Sequence, residues 1–360
     1  MYKILPFSKP IINHIPADAS RLSILHAHNQ ILPIIHNFIN IFAFNIMTYE
    51  GEYILDTQFY WNINEVERKL IPKAVVTDIV SLLWNSLQNN YYINICFDSC
   101  KLTSYKSYDR NKVRPHQMCI YGMDLEKKVC YCADFFSMNG YEQACIPIDD
   151  IKAANDSLHK ETCNLDTLTG AMDWITDIEL LKPLLHYGQT LNLELICKNI
   201  QYFLNGENMF GCASYTRTRP HVMTYDIPQD GKWLYEAEVL YECYGINVFE
   251  EIKHFLSKSL VNTKYAIHIK MFYIIHAYQK LMMFRLNYVK ENTKDANLVN
   301  IIDQYDKLLT DSQLILYNGI KSGLVSKEKI KSKLIDLIES HIDNTREILL
   351  KVLEVLTSKV

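Results

Sequence analysis

The chain has 360 residues, 49% of them hydrophobic, and a formal net charge of −4. That length allows two domains or one large one with a proper core, and mild acidity with no long basic run argues against a nucleic-acid partner. The longest apolar stretch, "IIHNFINIFAFNIM", carries His and Asn and falls short of a membrane span, while "MYKILPFSKPIINHIP" lacks an apolar signal core, so a cytoplasmic protein off the membrane is expected.

Residues 1 to about 155 mix helical and strand-like patterns. "ILHAHNQILPIIHNFINIF" has a helical look, with Pro33 starting or kinking the regular part. "TYEGEYILDTQFYW" alternates around a glycine turn, as a hairpin does. "PKAVVTDIVSLLWNSLQNN" predicts a helix with Val76, Ile79, Val80 and Leu83 on one face. "YYINICFD" reads as a strand, and "QMCIYGMDLEKKVCYCADFF" as two apolar strands around a charged turn, over 117–122 and 128–134. "PIDDIKAAND" opens a helix with two aspartates at its positive end.

The second half is read as almost all helix. "LNLELICKNIQYFLNG" stops at Gly206, a good C-terminal cap, and "INVFEEIKHFLSKSL" keeps the helical period. "AIHIKMFYIIHAYQKLMMFRLNYVKEN" is apolar on several faces and should be central and buried. Two further long helices follow, the last with Ser326 as its N-cap. The expected division is an α+β domain over 1–160 and an all-helical domain over 161–360.

Ten cysteines occur, seven of them between positions 96 and 163. "CFDSC" and "CYC" lack the paired spacing of zinc ribbons, so buried thiols are expected rather than a metal site or a disulfide frame. His26 and His28 form an HxH pair that could share one face of a strand, but no acidic residue joins them locally, and helix-start histidines are the simpler reading. His268, Phe272, His276 and Lys280 repeat at four-residue intervals on one drifting helical stripe, with Arg285 slightly off it. That stripe is either a packing network or a positive lining for a phosphate or carboxylate, such as a phosphopantetheine arm. Arg217 and Arg219 in "SYTRTRPH" are either a solvated loop or a docking point for an acidic carrier protein.

The sharpest candidates are His116 and Asp134, at the edges of the two strands of the hairpin. An imidazole oriented by a carboxylate can take a proton from a nucleophile. On spacing alone, a solvated strand-end histidine and a turn aspartate fit as well.

The run from Ile93 to Phe136 resembles a group of papain-like proteins related to the N-terminal domain of the butirosin-type acyltransferase, and is more distantly similar to bacteriocin-processing cysteine peptidases. Asp98, Tyr105, Tyr108, His116, Tyr121, Gly122, Asp124 and Asp134 match that pattern in order, and "YGINVFEEIKHFL" with His268, His276, Lys280 and Arg285 resembles the downstream part. The resemblance implies a papain-like α+β domain with an antiparallel sheet and an early helix. It implies chemistry on thioesters or amides in natural-product biosynthesis, with an acyl carrier protein or thioester as partner, His116 and Asp134 in the site, and no cofactor. The departure from the pattern is the nucleophile. No cysteine precedes Cys96, and the segment taken as the start of the early helix reads "LHAHN", so the 26–28 segment, through His26, Ala27 or His28, is expected to face His116. An acyltransferase or peptidase-like enzyme that is degenerate at its nucleophile, and a non-catalytic scaffold that binds a carrier protein or acyl ligand, are both left open.

Overall fold

The computed structural model describes residues 1–13, 15–37, 39–48, 51–60, 66–105, 114–137, 140–162, 177–184, 190–208, 221–224, 235–324 and 328–360. In chain order the elements are β1 (Tyr2–Ile4), α1 (Pro16–Ala27), α2 (Ile31–His36), β2 (Asn40–Thr48), β3 (Tyr53–Tyr60), β4 (Val66–Pro72), α3 (Ile79–Gln88), β5 (Tyr92–Asp98), β6 (Pro115–Asp124), β7 (Val129–Ser137), β8 (Gly140–Pro147) and α4 (Ile148–Thr162). They continue with β9 (Asp177–Pro183), α5 (Leu193–Asn205), β10 (His221–Thr224), β11 (Tyr235–Tyr244), α6 (Asn247–Val261), β12 (Tyr265–Ala266), α7 (Lys270–Thr293), α8 (Asn297–Leu324) and α9 (Glu328–Thr357). The class is mixed α+β, with antiparallel sheet and C-terminal helices.

Two compact units form. The described residues of Met1–Ile31 and Ile63–Tyr187 make the first, and those of Leu32–Asn62, Gly188–Thr224 and Tyr235–Val360 make the second. The units therefore do not divide at 160: the chain enters the second unit early, for β2 and β3, and the first unit keeps β9.

In the first unit the sheet runs β4-β9-β5-β6-β7-β8, with β1 added to β6. Every residue of β5 is buried, which is why "YINICFD" reads as a continuous apolar run rather than an alternation. Register fixes the faces. Asn94 pairs with both Cys119 and Glu179, and Cys119 pairs with Ala133, so these four side chains share one face. α1 lies on that face: Ser20 Oγ meets Tyr141 OH at 2.8 Å and hydrogen-bonds the Cys119 thiol, and Arg21 Nη2 reaches Glu179 Oε1 at 2.6 Å. Asp18 to Leu25 are buried around the whole helix, so its polar members need internal partners. Glu179 also takes Asn94 Nδ2 at 2.9 Å and Arg68 Nε, a buried carboxylate with three donors. Cys96 is level with β9 beyond the last paired residue, and the Lys73 ammonium donates to its carbonyl there.

The expected helix over "LHAHN…FINIF" is corrected. α1 starts at Pro16, a favoured first-turn proline, and ends near Asn29, which sits at φ +55°. α2 is a short second helix, and Asn40–Thr48 is a strand. Its β-branched and aromatic residues pair antiparallel with β3 on one side and β11 on the other.

The second unit is not all helical: its sheet runs β10-β11-β2-β3-β12. The β2–β3 hairpin around Gly51, at φ +74°, matches the glycine turn read from sequence. α7 is buried on several faces, as its composition requires. Gly319 of α8 leaves room for the Phe272 ring, which a Cβ would strike. The Arg285 guanidinium is buried at the end of α2, donating to the carbonyls of Ile35 (2.6 Å), Asn37 (2.6 Å) and Ile34 (3.4 Å). It thereby satisfies the last carbonyls of that helix, and burial pulls its pKa down to about 10. Gln279 joins Tyr305 OH, Thr345 Oγ1 (3.2 Å) and His341 Nε2 (2.9 Å) in a buried cluster.

Candidate active site

His116 is the second residue of β6 and pairs with Phe97 of β5. Across β7, Cys119 faces Ala133 and Ile120 faces Cys132, so Asp134 is level with Met118 and diagonal to His116 on the same face. The diagonal closes: His116 Nδ1 lies 2.7 Å from Asp134 Oδ2. Asp134 is fully buried and the His116 side chain is 22% exposed. The backbone N–H of Phe135 donates to Asp134 Oδ1 at 2.7 Å. The Tyr105 hydroxyl donates to Oδ2, the same oxygen that takes His116. The Tyr105 ring is buried, 5.5 Å from the imidazole and edge-on to Phe136 at 5.0 Å.

Asp98 positions this group from the end of β5. Its Oδ1 accepts from the backbone N–H of Cys100 (3.1 Å) and of Arg114 (2.9 Å), and its Oδ2 accepts from Ser157 Oγ of α4 at 2.7 Å. One carboxylate thus ties the turn that leads to Tyr105 to the residue that opens onto His116.

A carboxylate only accepts, so Nδ1 of His116 is the donor and Nε2 carries the ring's lone pair in the neutral state. Burial pulls the His116 pKa down, but the Asp134 carboxylate beside it outweighs burial and holds it above the ordinary histidine value. The group is a proton acceptor held in one tautomer.

Among the described residues, the two strand cysteines nearest His116 in register lie on the other face of the sheet. Cys96 pairs with Gln117 and Cys119 with Asn94, so both point to the α1 face, opposite His116. Burial pushes the Cys96 thiol up to about 12, and pushes Cys119 and Cys132 up as well, so these sulfurs stay protonated at neutral pH.

His26 and His28 are not brought to the pair. They stand at the C-terminal end of α1, and His28 Nε2 bonds Tyr92 OH at 2.9 Å. Tyr92 begins β5, five residues from Phe97, or roughly 17 Å along the strand from the level of His116. The proline in "IPADAS" was the signal for the true helix start. The four-residue stripe also separates. His268 precedes α7, Phe272 is buried, His276 Nδ1 turns to Ser312 Oγ at 2.9 Å, and Lys280 is exposed. His14, Cys163, Cys212, Arg217, Arg219 and Ser326 lie outside the described residues. Sequence reasoning did not single out the oxygen shared by Tyr105, nor Asp98 as a clamp. The contacts that matter, from Asp98 to Arg114 and Ser157 and from Tyr105 to Asp134, are non-local.

A shallow groove of about 310 Å³ is lined by Phe7 to Pro10 and by Tyr141, Glu142 and Gln143. Glu142 pairs with Asp134, but His116 does not line the groove. Among the described residues, no three His, Cys, Asp or Glu side chains stand together as a metal site, and no helix is long and apolar enough to cross a membrane. No protein-family model matches the chain, and no curated protein matches it in sequence.

Proposed function

We propose that the protein is a papain-like relative that handles acyl thioesters or amides without an acyl-cysteine of its own, in the manner of a natural-product acyltransferase that is degenerate at its nucleophile. One observation carries the reading: the 2.7 Å contact that fixes His116 Nδ1 on a buried carboxylate, leaving Nε2 as the base.

In this reading Nε2 takes a proton from a substrate amine, or from water, as it attacks the acyl carbonyl. The carbon–sulfur bond breaks, and the proton passes to the departing thiolate of the carrier. Asp134 stabilises the imidazolium between the two transfers. Covalent catalysis is left out for two reasons. No cysteine precedes Cys96 in the chain, and Cys96 and Cys119 face away from His116 with protonated thiols.

The absence of an early thiol also supports a second reading, a non-catalytic scaffold that binds a carrier protein or an acyl ligand. Intact-protein mass after incubation with a small acyl thioester and an amine separates the possibilities. The first reading expects free thiol, amide product and no mass increase. A stable adduct mapped to a cysteine would overturn it, and neither product nor adduct would leave the scaffold reading standing.

A further inference from the structure

Two donors converge on one oxygen of Asp134. A carboxylate oxygen that serves two donors gives less of its acceptor strength to each. A buried phenol hydroxyl needs an internal acceptor, and that of Tyr105 takes the oxygen already used by His116. The Tyr105 ring is already buried against Phe136, and its backbone N–H is taken by Leu102 O at 3.2 Å.

We propose that Tyr105 is a positioning residue for His116: by sharing Asp134 Oδ2, its hydroxyl fixes the carboxylate and limits how strongly the carboxylate holds a proton on the imidazole. The inference rests on the reading of His116 as the base. It adds that the strength of that base is set by a phenol that need not touch substrate. Without the hydroxyl, Asp134 would hold the imidazolium more firmly, and less His116 would be in the neutral, proton-accepting form at neutral pH.

The titratable and charged groups around the ring come from several elements. Asp134 stands on β7, Tyr105 follows the turn after β5 and Arg114 precedes β6, while Cys96 meets the His116 backbone from the opposite face of β5. Of these, Asp134 and Tyr105 are the ones joined through a single oxygen to Nδ1.

The test is the titration of the His116 ring nitrogens by ¹⁵N NMR in the full-length protein, which needs no substrate. Tyr105→Phe should move the His116 midpoint upward, on the order of half a unit. Site-specific 3-fluorotyrosine at position 105 makes a stronger donor and should move it downward. This second arm keeps the proposal testable if Tyr105→Phe fails to fold. Phe136→Leu loosens the ring packing but keeps the hydroxyl, and should leave the midpoint in place. A midpoint unmoved by both Tyr105 replacements, or moved equally by Phe136→Leu, overturns the proposal. Asp134→Asn separates this failure from failure of the underlying reading. If Asp134→Asn lowers the midpoint while the Tyr105 replacements do nothing, only the role of Tyr105 falls. If Asp134→Asn does nothing either, the oriented imidazole itself is lost.

Discussion

His116 and Asp134 are 18 residues apart in sequence, yet their side chains meet at 2.7 Å, diagonally across two antiparallel strands and with the carboxylate fully buried. The contact sets which ring nitrogen is the base. Asp134→Asn replaces an acceptor with an amide that can donate to Nδ1, which drives the proton to Nε2 and removes the base. Turnover of an acyl thioester should fall by about 10²–10⁴ while the far-UV spectrum stays unchanged. A variant with undiminished turnover would show that the pair is structural.

Alkylation should be silent. Cys145 is exposed, whereas Cys96, Cys100 and Cys119 are buried. Treating the native protein with iodoacetamide should modify Cys145 and leave turnover unchanged. Loss of activity that maps to Cys96, Cys100 or Cys119 would restore a thiol mechanism.

The ion cluster under α1 should be costly to break. Arg21 and Glu179 are each 7% exposed, and the carboxylate also takes Arg68 and Asn94. Arg21→Ala leaves a buried carboxylate short of its main partner and should destabilise the first unit by about 3–5 kcal/mol in urea unfolding. A loss under about 1 kcal/mol would mean that Arg68 alone suffices.

The second unit should lose stability in mild acid. Burial and the nearby Lys280 hold the His276 pKa down to about 4; burial and His276 hold His341 down to about 3. Both folded values lie below the unfolded value of about 6.5, so the unfolded chain binds more protons in between. Their contribution is complete above about pH 6.5 and is lost as pH falls toward 4, with a slope of up to about 1.4 kcal/mol per pH unit for each histidine. His116 has the opposite sign: its folded value is raised, so its contribution is full below about 6.5 and fades as pH rises through the folded value. Urea midpoints between about pH 7 and 4 should therefore fall less steeply in His341→Gln than in wild type. Parallel slopes would contradict the buried-neutral assignment.

The hairpin that carries the site was legible in sequence because β6 and β7 are apolar runs around the charged turn "DLEKK". Gly206 ends α5 at φ +65°, as the C-cap read from sequence requires, whereas α3 begins only at Ile79, capped by Asp78, and leaves Val76 in extended backbone before it. Other features were not legible. Asp18, Ser20, Arg21 and Ser23 make the buried α1 look like a surface segment, and its partners lie more than 100 residues away at Tyr141 and Glu179. β2 pairs with β11, almost 200 residues later, so its apolar run was equally compatible with a helix. The site pair was named from strand edges together with the resemblance to papain-like proteins. Tyr105 was not assigned a role, because a hydroxyl meeting a carboxylate 29 positions later leaves no periodic trace.

The most direct measurement is the rate of thiol release from an acyl thioester in the presence of an amine, compared between wild type and His116→Gln. Glutamine keeps polar contact with Asp134 but offers no nitrogen lone pair to accept a proton. The account predicts wild-type release above the uncatalysed rate, reduced by about 10²–10⁴ in a folded His116→Gln protein. Equal rates in the two proteins, or no release above background in wild type, would contradict the claim that His116 is the base.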